Sequence, residues 1–119
     1  MMTDLIAVLS TGKGTWGHVN GVITGQEWDK IYLITNDFGK ENFKANEKTE
    51  LIVVKTNGEA FEIRDEIINA LKGKVKGEVS VNFVSGSGKE HMGLMGALIK
   101  LGVGFRFVVS SMGEGIKEV

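Results

Sequence analysis

Short apolar blocks alternate along the chain with segments of helical periodicity. The blocks are rich in leucine and β-branched residues and are bounded by polar positions, which is typical of strands buried on both faces of a sheet. Between them, apolar side chains recur every three to four positions, which predicts helices. The predicted strands are residues 5–9, 30–35, 51–55, 79–84 and 105–110, with a short final strand at 116–119.

Three helices are predicted, at residues 16–27, at 60–71 and from residue 89 to Gly102, with one or two short turns within 38–50. Gly17, Gly21 and Gly25 fall on one side of the first helix, which indicates a close approach there. Tight packing on the sheet is favoured over a contact between helices of a dimer. The last helix is apolar nearly all round, so it is expected to be buried by the sheet on one side and by a second subunit on the other.

The alternation of strands and helices predicts an α/β fold, a Rossmann-like three-layer sandwich formed by one domain, residues 1–119. The sheet is expected to be mostly parallel, with the order 3-2-1-4-5-6. The connection before the last strand is too short for a crossover, so that strand should be antiparallel. The topological switch point then falls between strands 1 and 4, and a ligand is expected outside their carboxyl ends.

Composition excludes several classes of protein. A net charge of −1 argues against a surface for duplex nucleic acid. The chain has no cysteine, which excludes a disulfide framework and thiolate metal sites, and its acidic residues and histidines are too scattered to predict a metal site. No apolar run reaches the ~20 residues of a membrane span, and the start lacks the features of a signal peptide. We therefore expect a cytoplasmic protein with no membrane contact.

Two loops rich in glycine and hydroxyl groups follow the first and fourth predicted strands, at residues 10–15 and 85–89. Each leads directly into a helix, whose first N–H groups and dipole bind anions, and each carries a lysine. Because both loops fall at the switch point, we expect them to converge on one phosphate-bearing ligand. The candidate binding residues are Thr11, Gly12, Lys13, Gly14, Thr15, Ser85, Gly86, Ser87 and Gly88.

Established phosphate motifs fit these loops only in part. Neither loop is a Walker A motif, because the first glycine and the hydroxyl residue after the lysine are missing. Residues 12–17 match the Gly-x-Gly-x-x-Gly dinucleotide fingerprint in form, and Asp37 follows strand 2 about where a ribose-binding acid would lie. A nicotinamide or flavin dinucleotide therefore stays open as an alternative, although Trp16 would crowd the start of the helix.

The polar side chains near the loops each have a plainer interpretation. Lys13 and Lys89 could be ordinary surface lysines, and only their predicted convergence singles them out. His18 and His91 fall in first helical turns, where a histidine is a surface or capping residue or exchanges a proton with a bound phosphate. Ser10 is either a strand-end cap or a hydroxyl facing the ligand.

The end of the fourth strand resembles the motif of the CRISPR-associated Rossmann-fold (CARF) family. In that family the strand ends in Thr-Gly-Gly-Thr-Lys, followed by Met and an apolar helix. Here residues 85–89 read Ser-Gly-Ser-Gly-Lys, and Met92 follows one position later than in the family. The second and fifth positions match, and the first keeps a hydroxyl. The resemblance covers essentially the whole chain, including the small first loop and the closing strand pair.

The resemblance implies a homodimer that binds a cyclic oligoadenylate across its two-fold axis, without a cofactor. A stand-alone domain of this kind is similar to ring nucleases, which end antiviral signalling by metal-independent attack of a ribose 2′-OH on its own 3′-phosphate. Lys89 would then stabilise the phosphate and Ser10 would position the ribose. We add His91 as a candidate acid for the leaving group. The alternatives are a sensor that binds without cutting and a Rossmann-like nucleotide-binding subunit.

Overall fold

The computed structural model describes residues 3–10, 13–55 and 57–119. Along them, strands and helices alternate until a hairpin ends the chain. The strands are β1 (Asp4–Leu9), β2 (Ile31–Thr35), β3 (Thr49–Val53), β4 (Glu78–Asn82), β5 (Gly104–Ser111) and β6 (Gly115–Glu118). The helices are α1 (Trp16–Thr24), α2 (Asp37–Asn42), α3 (Ala60–Leu71) and α4 (Gly88–Leu101), with a 3₁₀ turn at Lys13–Thr15 before α1.

Within the described part of the chain, the strands form one sheet in the order β3-β2-β1-β4-β5-β6. β1 lies in the middle and pairs in parallel with β2 and β4, so that Leu9 is opposite Thr35 and Ala7 is opposite Asn82. β6 pairs with β5 in the antiparallel direction, because the turn between them is too short for a crossover. The predicted fold class, strand order and direction of the last strand are confirmed.

The side chains of β1 alternate between two hydrophobic cores, one on each face of the sheet. Ile6 and Val8 belong to the core that α3 and α4 cover. Leu5 and Leu9 belong to the core that α1 covers. A strand that is apolar at successive positions can be buried only if helices cover both faces of its sheet. The apolar run of β1 therefore accounts for the three layers of the fold.

Glycines set the distance between α1 and the sheet. A Cβ atom at Gly21 would lie 2.8 Å from Ser110 Oγ of β5, and one at Gly25 would lie 2.6 Å from Ile116 Cδ1 of β6. Close packing on the sheet therefore explains two of the three spaced glycines. A Cβ atom at Gly17 would meet nothing within 4 Å, so the packing of α1 does not require that glycine.

α4 is covered on its second side by α3, where a second subunit was expected. A Cβ atom at Gly93 would lie 2.9 Å from Ile63 Cγ2 of α3, so this glycine lets the two helices approach closely. Met92 and Ile99 remain 70% and 65% exposed on the outer surface of α4. No helix in the described ranges combines the length and hydropathy needed to cross a membrane.

Candidate functional site

The carboxyl ends of β1 and β4 are neighbours in the sheet, and we call their junction the seam: Ser10 together with residues 83–91. The chain leaves β1 towards α1 on one face of the sheet and leaves β4 towards α4 on the other face. The first turns of α1 and α4 therefore flank the seam from opposite sides. This is the topological switch point, where ligands bind in open α/β sheets.

Hydrogen bonds between the two loops close the seam. The Ser10 N–H donates to Ser85 Oγ at 3.2 Å, and the Ser10 hydroxyl donates to Glu90 Oε1 at 3.1 Å. All three side chains are buried. The structure thus brings Ser10 and Ser85 together, as the sequence predicts, but it places them inside the protein and pairs the Ser10 hydroxyl with a carboxylate that the sequence analysis did not single out.

Glu90 caps the start of α4. Ser87 is the N-cap residue, its hydroxyl accepts the Glu90 N–H, and the Ser87 N–H donates to Glu90 Oε1 at 2.7 Å. Glu90 is 2% exposed, and its Oε2 has no hydrogen-bond partner among residues 3–10, 13–55 and 57–119. A carboxylate of the protein therefore occupies the positive end of this helix, where the sequence predicts a phosphate.

The two glycines of the β4–α4 loop have different roles. Gly86 has a φ of 104°, and a Cβ atom there would lie 2.5 Å from Val8 Cγ1. A side chain at this position would therefore be strained and would clash with β1. A Cβ atom at Gly88 would meet nothing within 4 Å, so the fold itself does not require the second glycine.

The two lysines have separate partners in this structure. The Lys89 ammonium donates to the Gly58 carbonyl at 2.9 Å, beside the start of α3. The Lys13 ammonium lies 5.7 Å from the Trp16 ring centroid and 5.9 Å from that of Phe38. Gly58 precedes a helix on one face of the sheet, whereas Trp16 packs against the core on the other face. In this structure each flexible side chain therefore contacts its own acceptor or aromatic face, and the convergence of the two lysines on one ligand stays a prediction.

Trp16 covers the end of β1. Its indole N–H donates to the Ser10 carbonyl at 2.9 Å, and its ring lies 5.8 Å from the rings of both Phe38 and Phe43. These contacts hold the indole against the end of the strand and the neighbouring aromatic side chains. The indole thus lies at the end of β1, beside the start of α1.

His91 is anchored to the β4–α4 loop. Its Nε2 lies 2.8 Å from the Ser85 carbonyl oxygen, which can only accept, so Nε2 carries a proton. The ring stacks on Phe83 with a centroid distance of 4.8 Å and an interplanar angle of 2°. Nδ1 is therefore the nitrogen left for proton exchange with a ligand.

His18 fastens α1 to the sheet. Asn82 Nδ2 donates to His18 Nε2 at 3.2 Å and to the Val108 carbonyl at 2.8 Å. The Ser110 N–H is also directed at His18 Nε2, at 3.5 Å. Two donors require an unprotonated Nε2, so the arrangement selects the Nδ1–H tautomer. Asn82 Oδ1 accepts the Val84 N–H at 3.2 Å, and this turn ends β4 two residues earlier than predicted.

α1 begins without the capping seen in α4. Thr15 is its N-cap residue but makes no side-chain capping bond, and no acidic residue lies in the first turn. Gly14 and Gly17 are exposed, a Cβ atom at either would meet nothing within 4 Å, and neither has a positive φ. The 3₁₀ turn Lys13–Thr15 leads directly into this helix, and the first turn of α1 holds no negative side chain to offset the positive end of the helix dipole. Thr11 and Gly12 of the predicted site lie outside the described residues.

An open cleft of about 680 Å³ lies beside the seam, at the carboxyl ends of β2 and β3. Phe38 and Val53 in its lining are 39% and 37% exposed. The sequence indicates Asp37 as a candidate ribose acid, but the polar segment after it has no periodicity that would indicate a cleft. We call it the β2–β3 cleft; its lining is Asn36, Asp37, Phe38, Val53, Val54, Lys55, Asn57 and Glu66.

A scan of the sequence against models of protein families gives no match, and no curated protein matches it significantly. In the part of the chain that the structure describes, no group of three or more histidine, aspartate and glutamate side chains could hold a metal ion. What the site can bind therefore follows from its own geometry. It offers the start of α1, which has no acidic residue in its first turn, a lysine beside that start, and a neighbouring cleft lined by apolar and polar side chains.

Proposed function

We propose that this domain binds a phosphate-bearing nucleotide at the carboxyl edge of its sheet, with a phosphate at the start of α1. The observation that carries the proposal is that Thr15 makes no capping bond with its side chain and that the first turn of α1 holds no acidic residue. Unpaired N–H groups and the positive end of a helix dipole bind phosphate in such positions. Gly14 and Gly17 leave room for close approach, and Lys13 supplies a positive charge.

The start of α4 is the weaker candidate for the phosphate. The Glu90 carboxylate already accepts the Ser87 N–H there, and it would repel a second anion at short distance. The Lys89 ammonium would first have to leave the Gly58 carbonyl. In this proposal the loop at residues 85–88 therefore lies across the seam from the phosphate and does not bind it.

Cyclic oligoadenylate is the specific ligand that the proposal names, because the end of β4 resembles the CARF motif. Such a ring has two-fold symmetry, so two copies of the domain would bind it together. The exposed Met92 and Ile99 of α4 support a dimer, since they lie two turns apart on one face of the helix and burial of apolar surface drives association. We propose this face as the contact between the two copies.

Binding without cleavage is the better-supported form of the proposal. Cleavage as the resemblance implies it would bring Ser10, Lys89 and His91 around one ribose and phosphate. The Ser10 hydroxyl is buried against Glu90, Lys89 is bound at α3, and His91 Nε2 is held by the Ser85 carbonyl. Ser10 and Lys89 would have to leave these partners before they could act on a ligand, whereas His91 keeps Nδ1 for proton exchange.

Calorimetric titration of the protein with cyclic tetra-adenylate, cyclic hexa-adenylate, ATP and NAD in EDTA tests the proposal. We expect saturable binding of at least one nucleotide, with the ligand recovered intact by chromatography. Light scattering with and without the cyclic ligand measures the mass of the complex. Recovery of a linear oligoadenylate with a 2′,3′-cyclic phosphate end would establish cleavage instead. If none of the four nucleotides binds, the proposal is rejected.

A further inference from the structure

We infer that the β2–β3 cleft holds the base of the nucleotide, with Phe38 and Val53 against the ring and Asp37 at the ribose. The inference rests on the proposed nucleotide binding and adds which part of the protein reads the base and sugar. It concerns the neighbouring strand ends, away from the seam. The class of ligand is therefore a nucleoside phosphate, and a phosphorylated sugar without a base would fill only part of the site.

The size and lining of the cleft suit an aromatic ring. Its volume of about 680 Å³ falls in the range of sites that bind small molecules. Phe38 and Val53 keep more than a third of their surface in contact with water although both line a concave surface. A flat ring laid against them would remove this apolar surface from water. Stacking of one base on an aromatic side chain strengthens binding by about five- to a hundredfold.

The charges around the cleft indicate which part of a nucleotide it can hold. Asp37 and Glu66 both line it, and the Lys55 N–H donates to Glu66 Oε2 at 3.1 Å, which fixes that carboxylate at the rim. Two carboxylates disfavour a phosphate inside the cleft. They accept hydrogen bonds from ribose hydroxyls or from exocyclic amino groups, and Asn57 can donate as well as accept. Uncharged base and sugar therefore fit this cleft better than phosphate does.

Lys13 precedes α1 in the chain, and its ammonium also lies near the β2–β3 cleft. Its ammonium lies 5.9 Å from the ring centroid of Phe38, the same ring that lines the cleft. The cation beside the proposed phosphate position and the ring beside the proposed base position are thus neighbours. A single nucleoside phosphate can span them, with its ribose near Asp37, the first residue after the Asn36 cap of α2.

Titration with AMP and with ribose 5-phosphate tests this inference, because the two ligands share the sugar and the phosphate but differ in the base. We expect AMP to bind at least about tenfold more tightly to the unaltered protein. Phe38→Ala should abolish that difference by weakening AMP alone. Phe61→Ala removes an exposed phenylalanine of α3 that is not among the residues lining the cleft, so it is the matched control and should change neither affinity.

Asp37→Asn provides a second variant that alters the cleft without removing an aromatic contact. We expect it to weaken AMP by about three- to tenfold, because the amide oxygen still accepts a hydrogen bond but lacks the charge of the carboxylate, and to leave 2′,3′-dideoxy-AMP unchanged. Thermal unfolding of each variant shows that the fold is intact. Equal binding of AMP and ribose 5-phosphate, or an unchanged AMP affinity in Phe38→Ala, overturns the base site while leaving the phosphate site standing. Failure of both ligands to bind the unaltered protein also overturns the base site, whereas the nucleotide proposal is decided separately by the titration with the four nucleotides named above.

Discussion

The starts of α1 and α4 have similar sequences and opposite electrostatics. Both follow a parallel strand, both contain glycine and hydroxyl residues, and both carry a lysine. At α4 the chain supplies its own anion, because Ser87 and Glu90 form a reciprocal capping box. At α1, Thr15 makes no capping bond with its side chain, and the first turn holds no acidic residue. A composition that favours anion binding therefore does not tell which helix start is still free to bind one.

The two helix starts are also expected to contribute differently to stability and to ligand binding. Glu90 bonds to the Ser10 hydroxyl, so the α4 start is joined to the end of β1. At the α1 start, Trp16 and His18 contact the rest of the fold, but Gly14 and Gly17 have open space around them. We expect changes at α4 to act mainly on folding and changes at α1 to act mainly on the ligand.

Gly14→Asp should have the largest effect, because it gives α1 the carboxylate that α4 already has. There is space for the side chain, and an acid near a helix start stabilises the helix. We expect nucleotide affinity to fall by about a hundredfold in calorimetric titrations, while the melting temperature stays the same or rises. Gly14→Asn is the uncharged control and should bind within about threefold of the unaltered protein. An equal loss in both variants would indicate steric exclusion and not charge.

Glu90→Ala should lower the free energy of unfolding by about 2 kcal/mol, because it leaves the Ser10 hydroxyl and the Ser87 N–H unpaired. Glu90→Gln should cost less, since its amide oxygen can accept the same two bonds. Thr15→Ala is the matched change at α1 and should cost under about 0.5 kcal/mol, the usual range for a surface substitution. Urea unfolding measures all three, and a large cost for Thr15→Ala would show that α1 is capped after all.

Lys13→Ala and Lys89→Ala compare the start of α1 with the start of α4 as a phosphate site. We expect the first to weaken nucleotide binding by about tenfold, because it removes a charged partner of the phosphate. The second should weaken it by less than about threefold, because its ammonium is bound to the Gly58 carbonyl. Calorimetric titration of both variants with the nucleotide measures the two losses of affinity. The reverse ranking would return the phosphate to the start of α4, where the sequence predicts it.

Gly88→Ala should have the smallest effect. Space is open at this position and its φ is not positive, so alanine should raise the free energy of unfolding by about 0.5 kcal/mol by restricting the unfolded chain. We expect no change in nucleotide affinity. Gly86→Ala is the contrasting control and should destabilise the protein, since its φ is 104° and Val8 lies beside it. A weaker affinity in Gly88→Ala would bring the α4 start back into the ligand site.

Much of the fold can be predicted from the sequence because burial requirements are strong and local. The apolar run that forms β1 requires helices on both faces of the sheet, and the short connection before β6 requires a hairpin. The spacing of Ser87 and Glu90 is itself a readable capping signal. The burial of that glutamate is not readable, because it depends on Ser10, which lies 80 positions earlier in the chain.

The parts of the site that the sequence does not reveal depend on side-chain direction and on distant loops. Lys13 and Lys89 have long flexible side chains, so the position of the backbone does not determine which acceptor each will reach. The β2–β3 cleft is lined by residues 36–38, 53–55 and 57, together with Glu66, and no local pattern links these segments. Its aromatic side chain, Phe38, belongs to a segment with no clear periodicity.

The contact of Trp16 with the Ser10 carbonyl and with Phe38 makes this residue an intrinsic fluorescent reporter. The chain's other tryptophan, Trp28, is buried, donates to the Val22 carbonyl at 3.0 Å and precedes β2, at the amino edge of the sheet. A ligand at the carboxyl edge would change the emission of Trp16 and leave that of Trp28 nearly constant, whereas unfolding would shift both. Ligand occupancy and loss of structure can therefore be followed separately by fluorescence in unlabelled protein.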